Sequence, residues 1–375
     1  MKRAKRGVIL LVVVAMMISV FAGCSNSAGT DASPSAPTES ATQTSENTAE
    51  PSESPAAEDS TGTHTVVDFY DREVEIPNEV DSIICITPAV TQILAMLGAE
   101  DAVVAGAGTF TADTLNGKMF PGLNDLAAMS RDDVNVESVL EYDPDVIIWG
   151  YGIDSVPEAI VEAGIPVVAC NILSAEELMD AVDLMGEVLG GEAAEEAAAY
   201  REYYTSRISE AEERTADIPE EDRPTVYIAN GSTLRTNGKD SMPYSWVTLC
   251  GGKLASLDLE LGDTSNIDVT LEELINLDPD IIVATSTEVR DEFLSEPQYA
   301  GLSAVKNNQV YANPKGGSVW YLGHVEAPIQ LTYAFTIIHP ELAEEVDVEK
   351  EVRYFYETFY EYDLTDEEYQ EIMNP

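Results

Sequence analysis

The segment Val136-Glu137-Ser138-Val139-Leu140-Glu141-Tyr142-Asp143-Pro144-Asp145-Val146-Ile147-Ile148 returns about 135 residues later as Leu271-Glu272-Glu273-Leu274-Ile275-Asn276-Leu277-Asp278-Pro279-Asp280-Ile281-Ile282-Val283. Each copy reads as a short helix with its apolar residues on one side, an Asp-Pro-Asp stop, and a β-branched run too short to be helical. Proline fixes its own φ and disfavours helix in the residue before it, so the chain is expected to turn there and enter the strand. Helix, turn and buried strand are the parts of a parallel α/β sheet. A repeat unit this long is a duplicated lobe rather than a solenoid turn, and two lobes imply a cleft between them. Glu137 and Glu272 occupy equivalent places in the first helical turn, where an acidic residue also complements the helix dipole.

At the front of the chain, Lys2, Arg3, Lys5 and Arg6 precede an apolar run from Val8 to Phe21, followed by Ala22-Gly23-Cys24. A basic start, a short hydrophobic stretch and small residues before a cut site make an export signal, too short for a permanent membrane span. The cysteine after Ala-Gly resembles a bacterial lipobox, with Phe21 where leucine is usual. Residues 1–23 are therefore expected to be removed, and Cys24 to carry lipid. Residues 24–64 are rich in Ser, Thr, Pro and Glu, and from Ser25 to His64 they hold no Lys, Arg or aromatic residue. Such a segment buries too little apolar surface to offset its chain entropy, and is read as a disordered tether.

The remaining length suffices for two full cores: a first lobe over 65–190, a linking helix over 191–218 without internal Pro, and a second lobe with terminal helices over 219–375. A hairpin is expected near Thr65 to Ile76, and a loop through Phe110, Met119 and Phe120. Ser174 followed by Glu177 opens a further helix. With 69 acidic against 19 basic residues and a formal charge of −50, the chain is unsuited to nucleic acid or an anionic membrane surface, both of which need clustered Lys and Arg. Cys85, Cys170 and Cys250 lie in apolar runs, match no zinc spacing, and read as small buried hydrophobes.

The strand-loop-helix Ile84-Cys85-Ile86-Thr87-Pro88-Ala89-Val90-Thr91-Gln92, the paired Asp-Pro-Asp segments, the long helix between the halves, and Trp246 with Gly251-Gly252 together resemble the Fe/B12-type periplasmic binding proteins. These are the substrate-binding subunits of ABC importers for iron chelates, haem and corrinoids. The resemblance implies two Rossmann-like α/β lobes joined by a single long rigid helix, the class III arrangement, in a monomer without cofactor or enzymatic activity. It also implies that Glu137 and Glu272 dock onto arginines of a permease dimer, one lobe per subunit. Gln92 stands where such proteins often carry Glu.

Open α/β sheets bind ligands beyond the carboxyl ends of their strands, which makes Thr87, Arg131, Tyr151, Arg235, Tyr244, Trp320, Tyr321 and His324 the candidate ligand residues. Phe110, Met129 and Trp246 lie on the same loops, Trp246 reading better as core. Arg131 and Arg235 come from opposite lobes and suit an anionic chelate or oxyanion, while aromatic side chains would cover its organic part. His324 is the one candidate for direct metal coordination. There is no zinc-protease motif, nucleophile elbow or Walker loop. The expected function is a receptor, lipid-anchored to the outer face of the cell membrane, that passes a metal chelate, foremost a ferric siderophore, to an ABC permease. Corrinoid, haem and molybdate-type oxyanions are the alternatives within the scaffold, and a surface hydrolase or adhesin the alternatives outside it.

Overall fold

The computed structural model describes residues 62–108, 110–132, 134–259, 264 and 266–375. The leader, Cys24 and nearly all of the tether lie outside the described residues. The boundary of the tether needs one correction: His64, assigned to it, belongs to strand β1 (Thr63–Val67), which pairs antiparallel with β2 (Glu73–Pro77) and sets His64 opposite Ile76. Polar Thr and His residues carry little strand signal by themselves, and the partner strand supplies the missing pattern.

The first lobe is a five-stranded parallel sheet in the order β5-β4-β3-β6-β7, formed by β3 (Ile83–Cys85), β4 (Val103–Gly106), β5 (Ala127–Ala128), β6 (Val146–Trp149) and β7 (Val167–Ala169). In the second lobe, β8 (Thr225–Ala229), β10 (Lys253–Leu254), β12 (Ile281–Ala284) and β13 (Val310–Ala312) run parallel in the order β10-β8-β12-β13. The short β9 (Arg235–Thr236) pairs antiparallel with β11 (Ile267–Asp268) beside it. The central order β4-β3-β6-β7 matches β10-β8-β12-β13 strand for strand, so the duplication extends from sequence to topology. Every residue of β6 and β12 is buried, as expected of parallel strands covered on both faces.

Between the lobes run the helix Ala175–Leu189 and, after a break at Gly190 and Gly191, both at positive φ, the 25-residue helix Gly191–Thr215. Tyr200 and Tyr204 of the long helix are completely buried, and Tyr200 donates from its hydroxyl to the Val325 carbonyl at 2.9 Å. One continuous core joins residues of both lobes, the long helix and the terminal helices.

Two expectations change. The loop through Phe110 and Met119 contains a short helix, Leu115–Met119, capped by Thr114. Gly117 hid it, because glycine is a poor helix former; it is needed because a side chain there would collide with the Thr111 carbonyl and Asn124. The terminal helices Val348–Phe359 and Asp366–Met373, assigned to the second lobe, also reach the first. Lys118 pairs with Glu368 at 2.8 Å, and Phe120 meets Tyr360 edge-on with ring centroids 5.3 Å apart.

Candidate functional site

The two repeat helices, Val136–Tyr142 and Leu271–Leu277, are built alike. Asn135 and Thr270 cap their N-termini, each in a reciprocal capping box, with Ser138 and Glu273 at the third position. Both helices end on an aspartate in the left-handed region, Asp143 at φ 45° and Asp278 at φ 38°. The proline that follows does stop the helix, but the residue before it turns left-handed rather than extended. The last aspartate of each motif then caps a neighbouring strand. Asp145 accepts from the Asp81 and Ser82 amides, both at 2.9 Å, and Asp280 from the Thr225 amide at 2.8 Å and hydroxyl at 2.7 Å.

A helix of seven residues spans about 10 Å and a strand of four about 13 Å. Since each helix runs back against the strand that follows it, its N-terminus lies near the end where the strands terminate. Glu137 and Glu272 therefore sit at the ends of their lobes from which the cleft loops emerge. Both are exposed, and neither carries an ion pair among the described residues.

The cleft loops themselves differ between lobes. In the first, Thr87 follows β3 and is the N-cap of the helix Pro88–Met96, yet its hydroxyl makes no cap bond and is enclosed without a partner. Gly150 passes so close that a side chain there would overlap Thr87. Tyr151, after β6, lies half-buried beneath Arg131, whose guanidinium carbon is 5.2 Å from the ring centroid. Thr87, Tyr151 and Arg131 thus gather at one sheet end. Phe110 and Met129 are buried.

In the second lobe, Arg235 is exposed on β9 and Tyr244 half-buried in the first turn of the helix Met242–Leu249. The decisive segment is the loop from Lys315 to Glu326. Gly317 packs so tightly on Asn116 and Met119 of the first lobe that a side chain would not fit, and Gly323 does the same against Ile172. Tyr321 accepts through its carbonyl from Trp246 Nε1 at 3.3 Å, and its phenol, raised by burial, is drawn back by a hydrogen bond with Thr285. Trp246 is buried core, as its sequence context suggested.

This loop is pinned by a residue that the sequence did not single out. Glu326 is fully buried and accepts hydrogen bonds from the Gly317 amide at 3.0 Å, the Ser318 amide at 2.8 Å, the Ser318 hydroxyl at 2.8 Å and the Tyr356 hydroxyl. Burial pushes its carboxyl up, and the four donors pull it back. Trp320, a candidate ligand residue, is instead completely buried with its Nε1 enclosed. It stiffens the loop rather than facing the cleft. His324 is half-buried, its Nδ1 is enclosed without a hydrogen-bond partner, and burial lowers its pKa to about 4. Its imidazole is therefore neutral at physiological pH.

The three cysteines of the body are free and buried, as expected of packing residues, with burial pushing Cys85 up to about 11. Among the described residues no group of three or more His, Cys, Asp or Glu side chains is arranged to hold a metal ion, and no helix is long and apolar enough to cross a membrane. A cavity of about 190 Å³ lined by Arg207, Glu210, Arg214, Phe335 and Lys350 lies along the long helix, away from the strand ends.

The family model for periplasmic binding proteins matches residues 83–315. An uncharacterized ABC transporter substrate-binding lipoprotein of Bacillus subtilis, YvrC, is 25% identical over 255 residues, covering 66% of this chain and 77% of its own. The molybdate-binding protein MolA of Haemophilus influenzae is 22% identical over 336 residues, 79% of this chain and 90% of its own. A periplasmic solute-binding protein from Veillonella parvula superposes with a TM-score of 0.72 at 25% identity, covering 83% of this chain and 97% of that one.

Proposed function

Because this chain belongs to the periplasmic binding protein family and serves, without enzymatic activity, as the substrate-binding component of an ABC transporter, we propose that it captures an anionic metal chelate, foremost a ferric siderophore, between its lobes. The observation that carries this reading is a pair of guanidinium groups that hold no carboxylate among the described residues. Arg72, Arg201, Arg207, Arg214, Arg290 and Arg353 each hold a carboxylate. Arg131 and Arg235 are exposed, come from opposite lobes, and hold none among the described residues. Arg223 shares that lack but precedes β8, at the opposite end of the strand from the cleft loops. In a chain with 69 acidic residues, two arginines at the strand ends that form no ion pair among the described residues, Arg235 with Asp268 opposite it on β11, favour an anionic ligand. Tyr151, Tyr244 and Tyr321, all half-buried, would face its organic part, and neutral His324 shares the loop of Tyr321.

The likeness to MolA supports a second reading, an oxyanion such as molybdate held by the same two arginines. Calorimetric titration of the full chain with anionic ferric siderophores, molybdate, haem and cobalamin separates the two. Binding of a ferric siderophore, weakened about ten- to a hundred-fold by Arg131→Ala or Arg235→Ala, is expected for charge-assisted contacts. Binding of molybdate alone establishes the second reading, and wild-type affinity in both variants removes the arginines from the site.

Delivery follows from the two exposed glutamates, which on this reading dock the loaded protein onto a permease dimer, and from a lipid on Cys24 that keeps it at the membrane. Glu137→Ala with Glu272→Ala should spare ligand affinity and abolish uptake; undiminished uptake refutes docking. Cys24→Ala should release the protein into the soluble fraction, and retention at the membrane would refute lipidation.

A further inference from the structure

Each repeat helix exposes more than its glutamate. Three residues after Glu137 stands Leu140, 55% exposed, and three after Glu272 stands Ile275, 48% exposed. Residues three apart lie side by side on a helix surface, so each carboxylate has an aliphatic neighbour one turn along. Neither aliphatic is needed for anchoring, because Val139 and Leu274, the residues just before them, are fully buried in the core of each lobe. A single exposed aliphatic residue is ordinary. The same residue class, at the same register, beside the same exposed glutamate, on two helices about 135 residues apart is a matched pair.

We propose that Leu140 and Ile275 form the apolar half of the surface that seats this protein on the two transmembrane subunits of its importer. Each enters an apolar socket whose rim carries Arg or Lys to meet Glu137 or Glu272. This inference rests on the docking reading above and goes beyond it, assigning residence time to the aliphatic residues and steering to the carboxylates. Charge selects the occupant. Glu137 and Glu272 are exposed and unpaired among the described residues, on a chain of net charge −50, so the partner must be basic at two equivalent places. A second copy of this chain would set carboxylate against carboxylate, which disfavours that pairing. Matched knobs on duplicated lobes fit two like sockets, as a pair of like subunits provides. Rim charges mainly govern encounter rate and salt dependence, whereas a desolvated aliphatic anchor governs dissociation.

The test measures association of the full chain with the importer's transmembrane subunit pair in lipid nanodiscs, over a range of ionic strength. Leu140→Ser and Ile275→Ser should each speed dissociation about ten-fold and leave the salt dependence intact. Glu137→Gln and Glu272→Gln should slow association and flatten the salt dependence. Leu294→Ser, at an aliphatic residue equally exposed at 50% but outside the repeat helices, should change nothing. Wild-type dissociation of both serine variants, with the glutamine variants impaired, overturns this inference and leaves the docking reading standing. Glutamine variants that associate like wild type overturn both. Sedimentation of the full chain as a dimer that Leu140→Ser and Ile275→Ser dissolve overturns the inference in favour of a second copy.

Discussion

The two copies of the repeat agree where they face outward and disagree where they face the cleft. Both helices have seven residues, a reciprocal cap, a left-handed aspartate at the end, and an exposed glutamate beside an exposed aliphatic residue. Beyond the strands the likeness stops. β6 leads to Gly150 and Tyr151 beneath Arg131, whereas the second lobe contributes Arg235, Tyr244 and a loop wedged between the lobes and pinned by buried Glu326. A duplicated surface suits a two-fold partner, and a cleft built from unlike halves suits a ligand with no symmetry of its own. The repeat thus accounts for what the two lobes share, and their unlike loops for what sets the two halves apart.

The largest test of that contrast is Glu326→Ala, which strips the acceptor from three groups of the second lobe's loop and from Tyr356. Each buried donor left without an acceptor costs about 1–3 kcal/mol, read as a lowered urea midpoint. A loss under about 1 kcal/mol would show that the loop is held by other contacts. Next comes acid. His324 has an ordinary pKa of 6.5 and a folded value of about 4, so on acidification the unfolded chain takes up this proton first. Its contribution is complete above pH 6.5 and is lost as the pH falls towards 4, by about 3 kcal/mol at most. The stability difference between wild type and His324→Gln should shift with pH across that window, and a constant difference would mean the imidazole is not shielded.

A smaller effect sharpens the comparison of the copies directly. Asp278 accepts from the Ser303 amide at 2.6 Å and hydroxyl at 2.8 Å, capping the helix Ser303–Lys306, whereas among the described residues Asp143 makes no such bond to Glu158–Glu162, the helix that enters β7. Asp278→Gly should cost about 1–2 kcal/mol for those bonds. Asp143→Gly should be neutral or stabilising by up to about 1 kcal/mol, because glycine adopts the left-handed conformation without strain. Equal thermal shifts in the two variants would erase the distinction. Smallest of all, Glu137→Ala and Glu272→Ala should move stability by no more than about 0.5 kcal/mol, as exposed positions at a helix start. A larger change in melting temperature would mark them as structural.

Much of the fold was legible because its signals are local. The β-branched runs Val146-Ile147-Ile148 and Ile281-Ile282-Val283 announce buried strands, Ser174 opens its helix, and Gly190-Gly191 closes it. The misses share a cause. The helix Leu115–Met119 was masked by a glycine that packing demands, and the strand character of His64 by polar neighbours whose partner lies on β2. The left-handed aspartates before Pro144 and Pro279 ran against the local preference for extended backbone.

For the site, sequence alone determined the duplication, the pair of equivalent glutamates, the acidic balance that makes a basic residue informative, and the strand-end loops on which ligand residues are expected. Those follow from periodicity, composition and chain order, which survive without coordinates. Only the tertiary structure decided that Trp320 is buried, that Glu326 holds its loop, that Arg131 and Arg235 form no ion pair among the described residues, and that Leu140 and Ile275 are left outside the core. Burial and pairing depend on neighbours far away in the chain, and a sequence pattern carries no measure of which distant group will arrive.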